Sequence, residues 1–577
     1  MAKFRNQNLR STLAGMQPDA KLVEAAKLPK PDTKNRQGND AYSLDKWLRL
    51  LTMLNTLKLE SQFYRSENET MRELKALVDE CAKEDAYFVA QAIVYSRCVG
   101  EGMRSVNHLA ASYLAPHCAG QEWAKRFYSL WNKKTQSGGT LFRPDDMSEI
   151  VACFSAMNKT AVTNAMKKGF KEALEKMDAY SLLKYKSSLV DVINLVHPDA
   201  KAAKAKVEIS ADSYLTKLRE LEKATKDKTK SKALLEKIKL NESASGTVKV
   251  SALDAIMLGL SASADTWEVA QSDAGQEVAK AVKEGKLTET QAAEVLKEAK
   301  AENWDALLTE GKLGVLAALR NIRNIVKTAS KGTTVDKLCA LLSDGEAIRK
   351  GKIMPYQIDM AHEVVNAEFS NVDSRKIAQA LLKGYEAAVP NLAEALPGRT
   401  LVMVDFSGSM STMVVDPNRK TSYRSSCMDK AALIAATVAK ATNADIIRFG
   451  SSAEYVSWNA NSDVFSIAKA MKRDMGGTSL ASAWMAAQRS GRKYDRVFIL
   501  SDNECNRGSS YKAYESYTKA CGSPYVYSVD LAAYGTTQLA GDKVRFYYGY
   551  GYSMFDDIAK SEFNPNYHLE KVKKIVI

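Results

Sequence analysis

The chain has 577 residues, with 82 Lys plus Arg and 68 Asp plus Glu, so its formal net charge is +14. At about 100–200 residues per domain, this length excludes a single hydrophobic core and predicts two or more domains. The hydrophobic content of 45% and the charged content of 26% exclude wholesale disorder. No stretch approaches the roughly 18 apolar residues of a membrane helix, and the first residues form no apolar signal core, so we expect a cytoplasmic protein. The positive charge is compatible with an anionic partner.

The eight cysteines indicate the same compartment, because their spacing contains no CxxC pair. A chain of this size does not need disulfides, and zinc ribbons take ligand pairs that this sequence lacks. We predict reduced cysteines that serve mainly as small apolar side chains. They are Cys81, Cys98, Cys118, Cys153, Cys339, Cys427, Cys505 and Cys521.

The first part of the chain has a helical pattern that starts after a polar arm. Residues 1–40 are polar and broken by prolines, which predicts a flexible or loosely docked N-terminal arm. Residues 41–375 form the predicted helical domain. Residues 151–250 within it contain only two glycines and one proline, so they have few turn signals and suit helices joined by short loops. Stacked amphipathic helices predict an α-solenoid or a bundle, and the pattern does not decide between them. Apolar residues recur at helical spacing at Trp47, Leu50, Leu51 and Leu54, at Phe170, Ala173, Leu174 and Met177, and at Val315, Ala318, Leu319 and Ile322.

One segment of the helical part is rich in lysine. Residues 201–240 contain 12 Lys or Arg and 6 Asp or Glu, while their leucines keep a helical spacing. We predict a helical hairpin with basic outer faces. A nucleic-acid contact and a solvated surface insert both account for this pattern.

Near residue 398 the pattern changes to short apolar or β-branched runs, with helical segments at 428–441 and 479–490. Strands that alternate with helices predict a doubly wound, Rossmann-like α/β domain over 398–577, with both faces of its sheet covered. The net charge is +9 up to residue 400 and +5 after it, so the basic excess is not confined to one tail. The predicted strands are 400–405, 444–449, 496–501, 524–529 and 543–548.

Oxygen-bearing side chains follow these strands where ligands bind in an open α/β sheet. Asp405, Ser407 and Ser409 come directly after the first strand, and Asp502 follows the strand 496–501. The loop Gly-Gly-Thr-Ser can bring the hydroxyl of Thr478 close to them. Because all of these ligands are oxygens, the sequence predicts a divalent metal, Mg²⁺ rather than zinc or copper.

These five residues match the pattern DxSxS, then Thr, then Asp, which resembles the metal-ion-dependent adhesion site of the von Willebrand factor A family. The resemblance implies that Asp405, Ser407 and Ser409 bind the metal most directly, and that Thr478 and Asp502 bind it directly or through water. It also implies an open coordination position for an oxygen of a partner. The motifs contain no histidine that could act as a general base, so we expect a binding module and no enzyme.

The helical part resembles the TROVE domain of the Ro autoantigen family, whose members carry a von Willebrand A-like domain after the helices. The resemblance covers roughly residues 40–370 and 398–577, and we expect a bacterial or phage member. It implies a ring of HEAT-like helical pairs that is closed by the α/β domain. The motifs that carry it lie at 161–186, 189–198, 266–268, 317–324 and 352–355.

The resemblance also implies RNA partners and places some of their contacts. Family members bind single-stranded 3′ ends of misfolded or unprocessed RNA in the hole of the ring, and small noncoding Y RNAs on the basic outer surface. Lys184, Lys186 and His197 match positions around the Y RNA surface, although only Ser187 and Ser188 separate Lys186 from Leu189, fewer residues than in animal members. Some bacterial members work with a 3′-to-5′ exoribonuclease, which we therefore expect as a further partner.

A second basic stripe is predicted on the helix that contains Val315–Ile322. Arg320, Arg323 and Lys327 share the face opposite its apolar residues. Our hypothesis is that this stripe faces the hole and contacts RNA; the alternative is a solvated face.

The leading interpretation is a non-catalytic RNA-binding scaffold of a ribonucleoprotein, active in RNA quality control or processing. The alternative is a metal-dependent protein-interaction adaptor in which RNA binding is incidental. A hydrolase that uses the Mg²⁺ site is a third, weaker interpretation. We expect no DNA partner.

Overall fold

The structure is a computed structural model that describes residues 28–577 except for a set of short gaps. Residues 1–27 and Thr266 of the 266–268 motif therefore lie outside the described residues. Two parts follow each other along the chain, a helical part up to residue 395 and an α/β part from residue 400. The gaps are 58, 60–61, 131–142, 158–160, 261–266, 329–331, 412, 415–424, 562–563 and 565.

The helical part consists of helices that pack on each other in pairs, such as Lys46–Thr56 with Glu67–Cys98, Glu122–Ser129 with Asn164–Lys176, and Pro355–Glu368 with Val372–Ala388. The predicted apolar faces are confirmed, because Leu50, Leu51 and Leu54 are buried in α1 and Phe170 is buried in α6. Its helices are α1 Lys46–Thr56, α2 Glu67–Cys98, α3 Ser105–Leu114, α4 Glu122–Ser129, α5 Asp146–Met157, α6 Asn164–Lys176, α7 Ala179–Lys184, α8 Lys186–Val196, α9 Ala211–Ala224, α10 Lys228–Asn241, α11 Ala252–Met257, α12 Trp267–Lys283, α13 Glu289–Thr309, α14 Val315–Thr328, α15 Gly332–Leu342, α16 Gly345–Lys350, α17 Pro355–Glu368, α18 Val372–Ala388 and α19 Leu392–Ala395.

Local sequence signals start and bend the first two helices. The Asp45 carboxylate accepts a hydrogen bond from the backbone N–H of Trp47 at 2.9 Å and caps α1. Ser66 and Glu69 form a reciprocal capping box at the start of α2. Asp85 has non-helical backbone angles and kinks α2. This kink divides α2 into two shorter helical segments.

The lysine-rich segment forms a small module between α8 and α11. The predicted helical hairpin is confirmed as α9 and α10, which pack on each other. Two strands that were not predicted frame it, β3 Lys206–Ser210 and β4 Thr247–Ser251, and they pair antiparallel with Val207 opposite Val250.

The α/β part is a doubly wound domain, as predicted. Its sheet has the order β13-β11-β10-β5-β8-β9, in which the antiparallel edge strand β9 is an addition to the five predicted strands. Alternate residues of β5 face opposite layers: Val402 packs toward α20, whereas Leu401 and Met403 pack toward α22 and α23. The elements are β5 Thr400–Asp405, β6 Met413–Val414, β7 Ser425–Ser426, α20 Cys427–Thr442, β8 Asp445–Phe449, β9 Ala453–Val456, α21 Val464–Met471, α22 Leu480–Arg489, β10 Arg496–Ser501, α23 Ser510–Cys521, β11 Tyr525–Asp530, β12 Thr536–Thr537, β13 Val544–Tyr548, α24 Tyr552–Ser561 and α25 Tyr567–Lys573.

The described end of the N-terminal arm is docked on the α/β domain. Strands β1 Thr33–Lys34 and β2 Asp40–Ser43 form a three-stranded sheet with β12. The side-chain amide of Asn35 donates to the carbonyl of Cys505 at 2.7 Å, and that of Asn39 donates to the carbonyl of Gly508 at 3.0 Å. Cross-strand pairing and these side-chain hydrogen bonds hold residues 28–40 of the predicted flexible or loosely docked arm against the α/β domain.

Both ends of the helical array pack against the α/β domain, which closes the array into a ring. At the first end, α1 contacts β13 and α25, and α2 also contacts α25. At the other end, α17 packs on α20, while α19 packs on α20 and α24. The hydroxyl groups of Tyr385 and Thr437 are 2.6 Å apart across this second contact. No disulfide joins the eight cysteines, and within the described ranges no helix is long and apolar enough to span a bilayer.

Candidate functional site

The predicted metal ligands meet at the carboxyl edge of the sheet. Strands β5 and β10 are parallel neighbours, so Asp405 at the end of β5 and Asp502 after β10 emerge side by side. Ser407 and Ser409 lie in the tight turn after β5, and Thr478 lies in the loop before α22. All five side chains are buried.

Hydrogen bonds hold the ligand-bearing turn in shape. The backbone N–H of Ser407 donates to Oδ1 of Asp405 at 2.9 Å, and the hydroxyl of Ser501 donates to Oδ2 of Asp405 at 2.6 Å. The hydroxyl groups of Ser407 and Ser409 are 3.2 Å apart. A backbone hydrogen bond from Gly408 to the carbonyl of Gly476, 2.8 Å long, ties the Gly-Gly-Thr-Ser loop to this turn.

The electrostatics of the site fit a bound cation. Burial and the neighbouring charge of Asp502 raise the pKa of Asp405 to about 7, and burial also raises the pKa of Asp502. Oδ2 of Asp502 is buried and has no hydrogen-bond partner among the described residues. An unpartnered buried carboxylate oxygen beside hydroxyl oxygens is the environment that a small divalent cation satisfies. The described residues contain no cluster of three or more His, Cys, Asp or Glu side chains that could hold a metal ion.

Two further buried carboxyl groups near this edge were not predicted. Glu504 follows Asp502 by two residues, and burial raises its pKa to about 8. Asp530 ends β11, and burial raises its pKa to about 7. The sequence contained a signal for Asp530, because it follows a buried strand in the same way that Asp502 does. The charge of Asp502 also contributes to raising the pKa of both groups, so a cation bound at this edge would favour their ionised forms.

The segment between α1 and α2 reaches the edge of the sheet where the five predicted metal ligands meet, which we call the metal edge. Tyr64 is hydrogen-bonded to Ser409, and burial raises its pKa to about 12. Its ring packs edge-on against Tyr534, with the ring centroids 5.6 Å apart. The buried guanidinium of Arg65 donates to the carbonyl oxygens of Ala533 at 3.3 Å and of Ala532 at 3.4 Å. The metal edge therefore also joins the helical part to the α/β domain, a contact that no local pattern in the sequence predicts.

The residues predicted at the Y RNA surface lie along α7 and α8. Nζ of Lys184 lies 5.5 Å from the ring centroid of Tyr180 and 5.9 Å from that of Tyr185. Lys186 is half-buried at the first position of α8. His197 is exposed and ends α8 in the left-handed conformation, with φ of 48°. Lys184 supplies a positive charge held over tyrosine rings at one end of α8, and His197 supplies an exposed hydrogen-bonding group at the other end.

The second predicted basic stripe lies on α14. Val315, Leu319 and Ile322 are buried on one side of this helix, and Arg320 is exposed on the other. The guanidinium of Arg323 forms a bidentate ion pair with Glu368 of α17, in which Nε donates at 2.7 Å. Its charge is therefore largely neutralised within the protein, which sequence reasoning did not anticipate because Glu368 is distant along the chain.

The fold and the metal edge together define a class of protein: a closed ring of helical pairs that carries a von Willebrand A-like domain. Comparison with family models agrees, because the TROVE domain matches residues 37–383 and the Ro60 vWA domain matches residues 399–533. The chain belongs to the TROVE family and is an RNA-binding Ro protein.

A solved structure and the curated sequences complete the comparison. The crystal structure of the Ro (RSR) protein of Deinococcus radiodurans is similar over 90% of this chain and 100% of that chain, with a TM-score of 0.52 and 16% sequence identity. At this identity the likeness concerns the fold. Comparison with curated protein sequences finds no match.

Proposed function

We propose that the protein is a non-catalytic scaffold that binds the single-stranded 3′ end of misfolded or unprocessed RNA in the hole of its ring. The observation that carries the proposal is the closure of the helical array, since both of its ends pack on the α/β domain. A closed ring admits a single strand by its end and excludes a duplex that is wider than its hole. This selection suits RNA quality control or processing in the cytoplasm, with a 3′-to-5′ exoribonuclease as a partner for the captured end.

The outer surface of α7 and α8 is the proposed site for a small, Y-like noncoding RNA. Lysine neutralises phosphate as a point charge, and the release of counterions makes the affinity depend on salt. Lys184, Lys186 and His197 would then contact the RNA backbone without reading its sequence.

Filter binding tests the ring hypothesis with one structured RNA in two forms, with a single-stranded 3′ tail and with a blunt end. We expect tighter binding of the tailed form, because only it supplies a strand that enters the hole. Equal weak binding of both forms, without dependence on salt, would contradict the proposal and favour the protein-interaction adaptor.

The metal edge is the proposed binding site for Mg²⁺ and for an oxygen ligand of a partner. Asp405, Ser407 and Ser409 would hold the ion, with Thr478 and Asp502 directly or through water. The ion would supply a positive charge that attracts a carboxylate or another oxygen of the partner. Mg²⁺ should raise the thermal unfolding midpoint of the protein, since a ligand that binds only the folded state stabilises it.

A paired comparison checks the metal proposal by differential scanning fluorimetry in Mg²⁺ and in EDTA. The variant Asp405→Asn should lose the shift of the midpoint, whereas the exposed control Asp542→Asn should keep it. An unchanged response in Asp405→Asn would place the cation elsewhere. RNA turnover by the purified protein that disappears in Asp405→Ala would contradict the non-catalytic assignment and favour a hydrolase.

A further inference from the structure

The module between α8 and α11 presents an unusual concentration of positive charge. Its helices α9 and α10 are joined at residues 223–232, which contain five lysines and one aspartate. We call this segment the lysine tip. The five lysines are Lys223, Lys226, Lys228, Lys230 and Lys232, and all of them are exposed.

The module is built as an independent projection. Strands β3 and β4 form its base, and its small core contains Ile209, Tyr214, Leu218 and Ile238. In α10, Ile238 is the buried residue, so most of the helix surface faces solvent. Helices of this length extend for about 20 Å, which places the lysine tip well away from the base.

Cations at the base and at the tip differ in their partners. Nearer the base, Lys217 is 2.8 Å from Glu220 and Lys237 is 2.9 Å from Asp254. In contrast, none of the five tip lysines has a side-chain ion pair or hydrogen bond with the described residues. The single acid of the tip, Asp227, accepts hydrogen bonds from the backbone N–H groups of Thr229 and Lys230 and caps α10. A merely solvated helix face would interleave its lysines with acids, as the base does.

The tip lysines also oppose the stability of their own helix. Lys228 and Lys230 lie in the first turn of α10, which contains no acidic residue, so they face the positive end of the helix dipole. Lys228 and Lys232 are four residues apart and repel each other. A local arrangement that disfavours its own helix is expected where a ligand supplies the compensating charge.

The chemistry of the tip selects the partner. Residues 223–232 contain no large apolar side chain that could enter a bilayer or anchor a peptide. Lysines on a narrow projection suit a regularly spaced polyanion that is recognised through charge and shape. We propose that the lysine tip binds the phosphate backbone of the structured body of an RNA. The inference rests on the proposed function, because it assigns the tip to the RNA whose 3′ tail enters the ring.

The test uses the full chain and three RNA probes: a hairpin with a single-stranded 3′ tail, the same hairpin with a blunt end, and the tail alone. The variant carries Lys226→Gln, Lys228→Gln and Lys230→Gln, since glutamine retains the helix propensity of lysine. The control carries Lys469→Gln, Lys493→Gln and Lys512→Gln, which remove the same charge from exposed positions of the α/β domain. Circular dichroism and thermal unfolding verify that both variants are folded.

The tip variant should bind the tailed hairpin roughly tenfold more weakly at moderate salt. The slope of log affinity against log salt is negative, and its magnitude should decrease by about two to three in this variant. Its affinity for the tail alone should not change, and the control variant should bind all probes like the unmodified protein. An unchanged affinity and salt slope for the tailed hairpin would overturn the inference while leaving the ring hypothesis intact.

The other outcomes separate the two hypotheses further. If the unmodified protein does not prefer the tail but the tip variant loses affinity for both hairpins, the ring hypothesis fails and the tip assignment stands. Equal losses for RNA and for duplex DNA would overturn the assignment to RNA. If the tip variant lost affinity only for an acidic peptide such as polyglutamate, the tip would be assigned to a protein partner and the inference would be overturned. The inference would also be overturned if the unmodified protein bound none of the RNA probes.

Discussion

Charged neighbours stabilise the ionised form of the Asp146 side chain. It is fully buried, with Arg97 at 3.1 Å and His108 at 3.0 Å, and Arg104 forms a further ion pair. Burial alone would raise the pKa of Asp146, but the neighbouring His108 and the charges of Arg97 and Arg104 outweigh it and lower the pKa. The ionised Asp146 therefore contributes its full share to the free energy of unfolding above the pKa of an aspartate in the unfolded chain, about 4. This contribution is lost as the pH falls toward the lower pKa that Asp146 has in the folded protein.

Asp146→Asn should reduce the free energy of unfolding by about 3–5 kcal/mol at neutral pH, because it removes the buried counter-charge of Arg97 and one of the two ion pairs of Arg104. Urea unfolding at several pH values measures this loss, which should shrink below about pH 4. The exposed control Asp336→Asn should remain within about 0.5 kcal/mol of the unmodified protein. A loss that is independent of pH would show that packing, and not charge, is what the variant disturbs.

Asp405 leads to a different pH dependence, since burial and the charge of Asp502 raise its pKa to about 7. A cation competes with the proton for this carboxylate. The affinity for Mg²⁺ should therefore increase by roughly tenfold between about pH 6 and pH 8. Isothermal titration calorimetry checks this prediction, and a constant affinity over that range would contradict it.

A glycine allows the helices α4 and α6 to approach each other closely. A Cβ atom on Gly169 in α6 would lie 2.5 Å from Cβ of Tyr128 and 2.8 Å from the carbonyl oxygen of Lys125, both in α4. Gly169→Ala should therefore destabilise the protein by about 1–3 kcal/mol, although alanine favours a helix. Gly275→Ala in α12 is the matched control, because a Cβ atom there would meet no atom within 4 Å. This substitution should stabilise the protein slightly, since alanine favours a helix more than glycine does. Thermal unfolding distinguishes the two variants, and equal midpoints would contradict the close approach.

The sequence predicted those elements whose signals are local and continuous. Strands β5 and β10 are buried at every position, so their apolar runs identified them. Strand β9 was missed because its residues, Ala453–Val456, are partly exposed at the sheet edge and carry a glutamate. Strands β3 and β4 were missed because each is short and the helical hairpin separates them along the chain.

The same distinction applies to the candidate site. Asp405, Ser407 and Ser409 were predictable because one turn contains them, and the spacing of strands added Thr478 and Asp502. Tyr64 could not be predicted, since its position beside Ser409 results from the docking of the whole helical part on the α/β domain. For Arg323, the pairing with Glu368 likewise depends on how α14 and α17 pack.

At the scale of the whole molecule, the first helices pack against the last residues of the sequence. The side-chain amide of Gln91 in α2 donates to the carbonyl of Ile575 at 2.6 Å, and Ile577 is buried in the same hydrophobic cluster as α1 and α2. Ile577→Ala should cost about 2 kcal/mol or more of unfolding free energy. Val576→Ala is the control, because Val576 is 78% exposed and should change the stability by less than about 0.5 kcal/mol. Chemical denaturation measures both variants, and similar values would contradict the packing of Ile577.

This packing has a consequence for the time at which the protein can fold during its synthesis. Gln91 and its partner Ile575 are 484 positions apart along the chain. At about 5–20 residues per second, a ribosome takes roughly 25 to 100 seconds to make the intervening residues. The part of α2 that contacts residues 573–577 therefore stays without this partner until those residues have been made, whereas its contacts with α1 and α3 can form early.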